Sequence, residues 1–428
     1  MHPDLSFDQA PPIGVPFRFF LTAPLFGIAA GLLLAIVGGE MFASRWMPAA
    51  LAGTHLLVLG FMLQAMCGAL LQFLPVAAGA NVWRPRWVAG VVHPLLIVSA
   101  ALLVTAFLSQ QPAFFMAAAH GLALALGFFA IVTGIALLRT PARGATVVAL
   151  RLAVTALVAT MSLGIVLAAG LARGSEWPLL ALTDLHAAWG LGGWALILLA
   201  GVSYYVVPMF QLTPAYPVWL ARSFPLVLLA LLLGWSLLFD PVAASRQQVA
   251  FIGGVGVSSA FAVATLRLQQ RRRRKVSDAT FLFFRTAMLA LLAVVVSALA
   301  ITLLPALAAE PRGAVWIGLL AIVGVFVSAI NGMLYKIVPF LNWLHLQNLC
   351  GRGIMPPTMH QMIPEKRMRG QFYLHVAALA FLLAAVVWPV LARPAGVLFA
   401  ASCVWLEANL IGAVGVYRDF KTRIRAAA

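Results

Sequence analysis

Twelve long runs of apolar residues dominate this sequence, and a run of that length leaves its backbone few choices. In hydrocarbon no water is present to satisfy peptide N–H and C=O groups, so each run must form a helix or join a closed barrel. The runs exceed the roughly 20 residues that a helix needs to cross a bilayer, and they lack the short alternating pattern of barrel strands. We place membrane-spanning helices at about 17–39, 47–75, 87–108, 112–138, 146–172, 177–208, 222–239, 247–266, 279–305, 314–341, 370–392 and 395–417. The composition agrees. Of 428 residues 63% are hydrophobic and only 9% charged, against about 25% in a soluble domain. A soluble fold could not hide that much apolar surface. The chain reads as one polytopic membrane domain over residues 1–428, with the bilayer as its first partner.

Three stretches share a pattern of a glycine, six residues and a proline: Gly68 to Pro75, Gly201 to Pro208 and Gly332 to Pro339. The prolines are 133 and 131 residues apart, a period that holds about four spans. The fold expected is therefore all-α, with twelve transmembrane helices in three pseudo-repeated four-helix units, about 17–138, 146–266 and 279–417. The glycines suit close helix packing. The residue four after each glycine is Gln72, Tyr205 or Lys336, a polar group near one membrane face. Tyr205 and Lys336, with Glu407 midway along the last span, are candidates for a proton or polar relay. Packing and hydrogen bonding are the plainer readings of the same side chains. For Glu407 the plainer partner is Asn409 or another helix.

Lysine and arginine set the orientation. Loops after even-numbered spans, with the C-terminal tail, hold 20 of them, including the Arg271–Lys275 run and Arg352, and loops after odd-numbered spans hold five. The positive-inside rule then places both termini in the cytoplasm and the chain in a bacterial-type inner (plasma) membrane. The net charge of +17 is accounted for by this topology, with no nucleic-acid partner implied. The N-terminus has no basic region and its first apolar run is too long for a signal peptide, so no cleavage is expected. Three scattered cysteines give no disulfide framework.

His55 and His186 are 131 residues apart, one repeat step, and each falls eight or nine residues into its span. His120 stands at a matching place in the fourth span. At 1.5 Å per residue all three should lie roughly 12 Å below the outer surface. Imidazole in hydrocarbon is costly unless paired or ligating, and it is a usual ligand for haem iron and copper. His55, His120 and His186 are therefore the candidate cofactor and metal ligands. Trp189 and Phe61, with glycines such as Gly60, Gly190 and Gly192, are candidates to line the cofactor. His93 and His375 read as interfacial.

Three four-helix units, inward termini, and histidines in the outer halves of spans 2 and 6 resemble subunit I of the haem–copper oxidase superfamily. The resemblance implies that His55 corresponds to an axial haem ligand and that His186 falls near a copper ligand, with haem b as the cofactor and copper as a second candidate. Span 7 of this chain has no histidine, and the repeat-equivalent position in span 10 is Ile317, so an oxygen-reducing centre is not expected. Length and helix count are similar to the NnrS family of haem- and copper-containing membrane proteins linked to nitric oxide. That family's His-x-His-Glu-Met is replaced here by Thr54-His55-Leu56-Leu57-Val58-Leu59-Gly60-Phe61-Met62, which makes the chain a divergent, short relative. The function expected is a redox, nitric-oxide-related or sensing role. Two alternatives stay open: a secondary transporter or permease for a metal or small solute, and a metal-free assembly subunit.

Overall fold

The computed structural model describes residues 7–239, 244–273, 276–350 and 355–427, and every element among them is helical. Arg274, Lys275 and Arg352, counted above toward orientation, lie outside the described residues. Twelve helices are long and apolar enough to cross a membrane. We label them α1 (Gly14–Phe42), α2 (Pro48–Ala78), α3 (Pro85–Ser109), α4 (Pro112–Arg139), α5 (Ala145–Arg173), α6 (Leu179–Gln211), α7 (Val218–Leu237), α8 (Ala250–Gln270), α9 (Ala279–Leu303), α10 (Gly313–Gln347), α11 (Glu365–Val387) and α12 (Pro389–Ala426). Each matches a span read from the sequence, and together they make the chain a multi-pass membrane protein.

Two boundaries differ from expectation. The break between α11 and α12 falls at Trp388 rather than after residue 392, because Pro389 cannot continue α11 and instead opens α12 in a 3-10 turn, Pro389–Leu391. The basic tail after residue 417 is not a loop but the last turns of α12. It stays helical because Tyr417 and Ile424 are buried while Lys421 and Arg423 lie over the rings of Tyr417 and Phe420.

Three helices form the interior. The apolar windows of α2, α6 and α10 are 78%, 61% and 56% buried, and no other span exceeds 44%. Around them the remaining nine pack edge to edge in a closed sequence, α12 on α1, α1 on α3, α3 on α4, α4 on α5, α5 on α7, α7 on α8, α8 on α9, α9 on α11 and α11 on α12. Each inner helix also lies on the helix that precedes it: α2 on α1, α6 on α5, α10 on α9. The Gly-to-Pro stretches explain that contact. A Cβ built on Gly68, Gly201 or Gly332 would come within 2.8, 2.7 and 2.8 Å of side chains of Phe19, Ala149 and Phe283, on α1, α5 and α9 respectively. The prolines 75, 208 and 339 sit inside helices that run three to eight residues further.

The inner helices share a second feature that hydropathy does not reveal. Each contains a π-helical stretch, Leu56–Leu63 in α2, Ala188–Leu196 in α6 and Leu320–Val327 in α10. Their first residues are 132 apart in both steps. A π turn spaces its hydrogen bonds i to i+5 and is often found at functional sites.

The outer ring closes where the first helix meets the last. A Cβ on Gly396 would lie 2.6 Å from the Gly31 carbonyl and from the Ala35 nitrogen, so α1 and α12 touch backbone to backbone. Gly396→Val should therefore force the two helices apart and cost about 1–3 kcal/mol, the usual range for overpacking. Gly412→Val on the same helix, where a Cβ meets nothing within 4 Å, should be nearly neutral. Thermal unfolding of both variants in detergent checks this, and equal melting temperatures would contradict the contact.

Candidate functional site

His55 ends the α-helical first part of α2, and the π stretch begins at the next residue. His186 stands two residues before the π stretch of α6. Both line one apolar cavity of about 390 Å³, enclosed by α2, α3, α4, α5 and α6 with Ile322 of α10. Residues of all three π stretches contribute to its wall, among them Val58, Met62, Leu191 and Trp194. A volume of this size falls within the range of small-ligand and cofactor pockets.

The two imidazoles are held alike. His55 donates Nδ1–H to the Leu51 carbonyl at 2.8 Å, one turn back on its own helix. His186 donates Nδ1–H across to the Thr160 carbonyl of α5 at 3.1 Å. This places the proton on Nδ1 and leaves the lone pair on Nε2, which has no hydrogen-bond partner in either ring among the described residues. Metal-ligating histidines are commonly fixed in this way, one nitrogen tied to a carbonyl and the other free to coordinate. Phe107 of α3 lies at 5.0 Å and 32° to the His55 ring. On the other side, a Cβ at position 164 would come within 3.1 Å of His186 Cε1, so Gly164 of α5 makes the space that the imidazole occupies.

His120 is not brought to this site. It is exposed on α4, bonded through Nδ1 to the Met116 carbonyl at 2.7 Å, and it does not line the cavity. α4 belongs to the outer ring, and position 120 lies on its outward face. The expected lining aromatics are also different. Trp189 donates to Ser236 Oγ at 2.9 Å within a separate cluster with Leu232 and Trp235, and Phe61 packs near Gly27 and Cys403. Neither lines the cavity. Trp46, Phe107, Phe115 and Trp194 do. Of the expected glycines, Gly190 lines the cavity, whereas Gly60 serves packing against Phe26.

Two polar features lie at the cavity's edge. Arg45 in the loop before α2 donates Nη1 to Asp184 Oδ1, two residues ahead of His186, and its guanidinium covers the Trp46 ring at 4.4 Å. Trp194 lines the cavity with a buried Nε1–H that has no partner. A buried donor without an acceptor is costly in a native fold, and it marks the wall where an acceptor atom of a ligand or water would be satisfied. Among the described residues no three His, Cys, Asp or Glu side chains come together, so the centre offered is a two-imidazole one. Residues missed at the sequence level are Thr160, Gly164 and Trp194. The first two are weak signals, a lone hydroxyl and a small residue in an apolar run.

The relay candidates and Gln72 are spread through the bundle. Gln72 is buried with Oε1 unpaired, and Tyr205 meets the neighbouring Phe73 ring edge-on at 6.1 Å. Glu407 is buried in α12 and its Oε2 has no partner, because Asn409 donates instead to the Tyr335 hydroxyl at 2.9 Å. That hydroxyl donates to Gln371 Oε1 at 3.2 Å, and Gln371 donates to Ser402. His375 is not interfacial. With α11 starting at Glu365 it lies ten residues deep, buried, bonded through Nε2 to Ser328 Oγ at 2.8 Å. Lys336 is paired with Asp278, Nζ to Oδ2 at 2.8 Å, while Asp278 Oδ1 caps α9 by accepting from the Phe281 N–H at 2.9 Å. Asp278→Ala removes both the counter-ion of a mostly buried lysine and the cap, and should cost about 3–5 kcal/mol. Lys336→Met keeps the cap and should cost about 1 kcal/mol less. Denaturation of the two variants measures the difference, and a costlier Lys336→Met would reverse the assignment.

Compared with known proteins, the chain matches no family model and no curated protein.

Proposed function

We propose that this chain is a haem-binding membrane protein, built as three four-helix units and distantly related to subunit I of the haem–copper oxidases and to the NnrS family. The observation that carries the reading is the meeting of His55 and His186 in one apolar cavity, each with Nδ1 tied to a carbonyl and Nε2 uncommitted. The 132-residue recurrence of the π stretches and the equal contacts of Gly68, Gly201 and Gly332 support the three-unit reading. With that reading comes the orientation argued from arginine and lysine, termini in the cytoplasm and the histidine cavity toward the opposite face of an inner membrane.

The residues fit haem b. Two imidazoles with uncommitted Nε2 suit its iron, the wall is mostly apolar with the rings of Trp46, Phe107, Phe115 and Trp194, Gly164 keeps bulk away from His186, and the buried Trp194 N–H is left without a partner. Haem held there by His55 and His186 would supply a reversible one-electron couple and an iron with affinity for small diatomic gases. The protein's own part is to fix the tautomers through Leu51 and Thr160, exclude water, and close the rim with the Arg45–Asp184 pair. Redox exchange or sensing of nitric oxide follows from such a site more readily than oxygen reduction, since α7 carries no histidine. Copper on the same two imidazoles is the second reading, favoured by their neutral, hydrogen-bonded state.

Protein purified after expression with ample haem should give b-type bands in a reduced-minus-oxidised spectrum. His55→Ala and His186→Ala should each abolish or shift them, and His120→Ala should leave them unchanged. Copper without haem in metal analysis would select the second reading. Absence of both metals, with the His55/His186 double variant as stable as the parent, would leave the metal-free assembly role.

A further inference from the structure

Away from the histidine cavity, α10, α11 and α12 enclose a polar seam. Ser328, Tyr335 and Asn342 recur every seven residues along α10, which puts them on one face about two turns from each other. Their hydrogen bonds show where that face points. Ser328 Oγ meets His375 of α11 at 2.8 Å, and the Tyr335 hydroxyl lies between Gln371 of α11 and Asn409 of α12. Asn342 Nδ2 donates to the Ala413 carbonyl of α12 at 2.9 Å. Asn331, between Ser328 and Tyr335, falls within the same arc of the helix. All these side chains are buried. The seam runs about 21 Å, from the foot of the α10 π stretch to near the C-terminal end of that helix.

The side chains of the seam do not satisfy one another. Asn331 Oδ1, Asn342 Oδ1 and His375 Nδ1 are buried with no hydrogen-bond partner. Ser328 donates its hydroxyl to the Val323 carbonyl at 3.2 Å, so its oxygen accepts from His375 Nε2–H and the basic lone pair of the ring rests on Nδ1. Three acceptors are thus left open along one seam. Buried polar atoms in that state are the usual partners of internal water, which makes about three hydrogen bonds per molecule. Among the described titratable groups of α9 to α12, Tyr335 shares the seam with His375. Lys336 is paired with Asp278 and Arg369 with Glu365, while Arg285 and Tyr373 are exposed. Cys403 turns toward Gly27 of α1, and Glu407 follows it by one turn on that face of α12.

We propose that ordered water fills this seam and lets protons from the C-terminal end of α10 reach His375 Nδ1. His375 is then a buried base with a role of its own, exchanging protons where His55 and His186 are placed for ligation. Water bonded to Asn342, the Tyr335 hydroxyl and Asn331 forms the steps, and the imidazole takes up and returns the proton with no electron transferred. The site stands whether or not haem occupies the cavity.

Deuterium exchange at the C2 position of histidine, read by mass spectrometry on the full chain in detergent, tests this. That exchange passes through the protonated ring, so it requires both a proton and water at the imidazole. His375 should exchange measurably, as the exposed His360 does, while the backbone amides around it stay protected. Tyr335→Phe and Asn331→Leu should each slow His375 about ten-fold, near the upper end of what one hydrogen bond contributes, and leave His360 unchanged. No exchange at His375 in the parent chain overturns the proposal, whichever variants fold. Exchange at the rate of the neighbouring amides assigns access to local unfolding and overturns the water path. Exchange unchanged in both variants overturns the route through Tyr335 and Asn331.

Discussion

An imidazole ring inside a membrane has two nitrogens to account for and no water to do it. In this chain the account is split the same way twice. Leu51 and Thr160 carbonyls each take an Nδ1 proton, and both Nε2 lone pairs are left on one apolar cavity. His375 also commits one nitrogen, Nε2 to Ser328 Oγ, and keeps Nδ1 unpaired, but it stands away from the cavity. His55 and His186 line the cavity, whose other polar side chains are Thr54, Thr160, Thr183 and Trp194, the last with its N–H unpaired.

The frame that brings the two rings together is a closed ring of nine helices around three. Because α2, α6 and α10 are enclosed, polar groups on them are screened from lipid by protein, which is the condition under which ionisable and ligating side chains persist in a bilayer. Backbone-to-backbone contact between α1 and α12 closes that ring, and glycines at one level of each inner helix set how near the neighbouring helix comes. The π stretches follow the histidines directly in α2 and α6 and form the cavity wall in all three inner helices. α10 contributes wall without a ligand, as Ile317 foretells.

Much of this was legible from hydropathy and spacing. All twelve spans follow from apolar run length, and the 131-residue step joined His55 to His186 before any geometry was known. What failed did so for angular reasons. His120 falls at a similar residue count into its span, yet a count measures position along an axis while facing depends on about 100° per residue and on whether the helix is inner or outer. Trp189 and Phe61 stand near the histidines along the chain, but nearness in sequence does not fix which way a ring faces, and both lie within π stretches that shift the helical phase. Thr160 and Gly164 were unreadable because their value is relational: each matters only once α5 lies against His186. The last span was ended at 417, short of the helix, because the apolar contacts of its basic tail, Tyr417 and Ile424, are too sparse to raise mean hydropathy.

The proposal on which the functional account turns is that His55 of α2 and His186 of α6 together would hold one haem. Electron paramagnetic resonance of the oxidised, haem-loaded protein reads this directly. One haem b per chain with a low-spin ferric signal of two axial imidazoles, converted to high spin by substituting either His55 or His186 but not His120, is the result expected. A signal untouched by both substitutions would place any bound haem elsewhere and contradict the account.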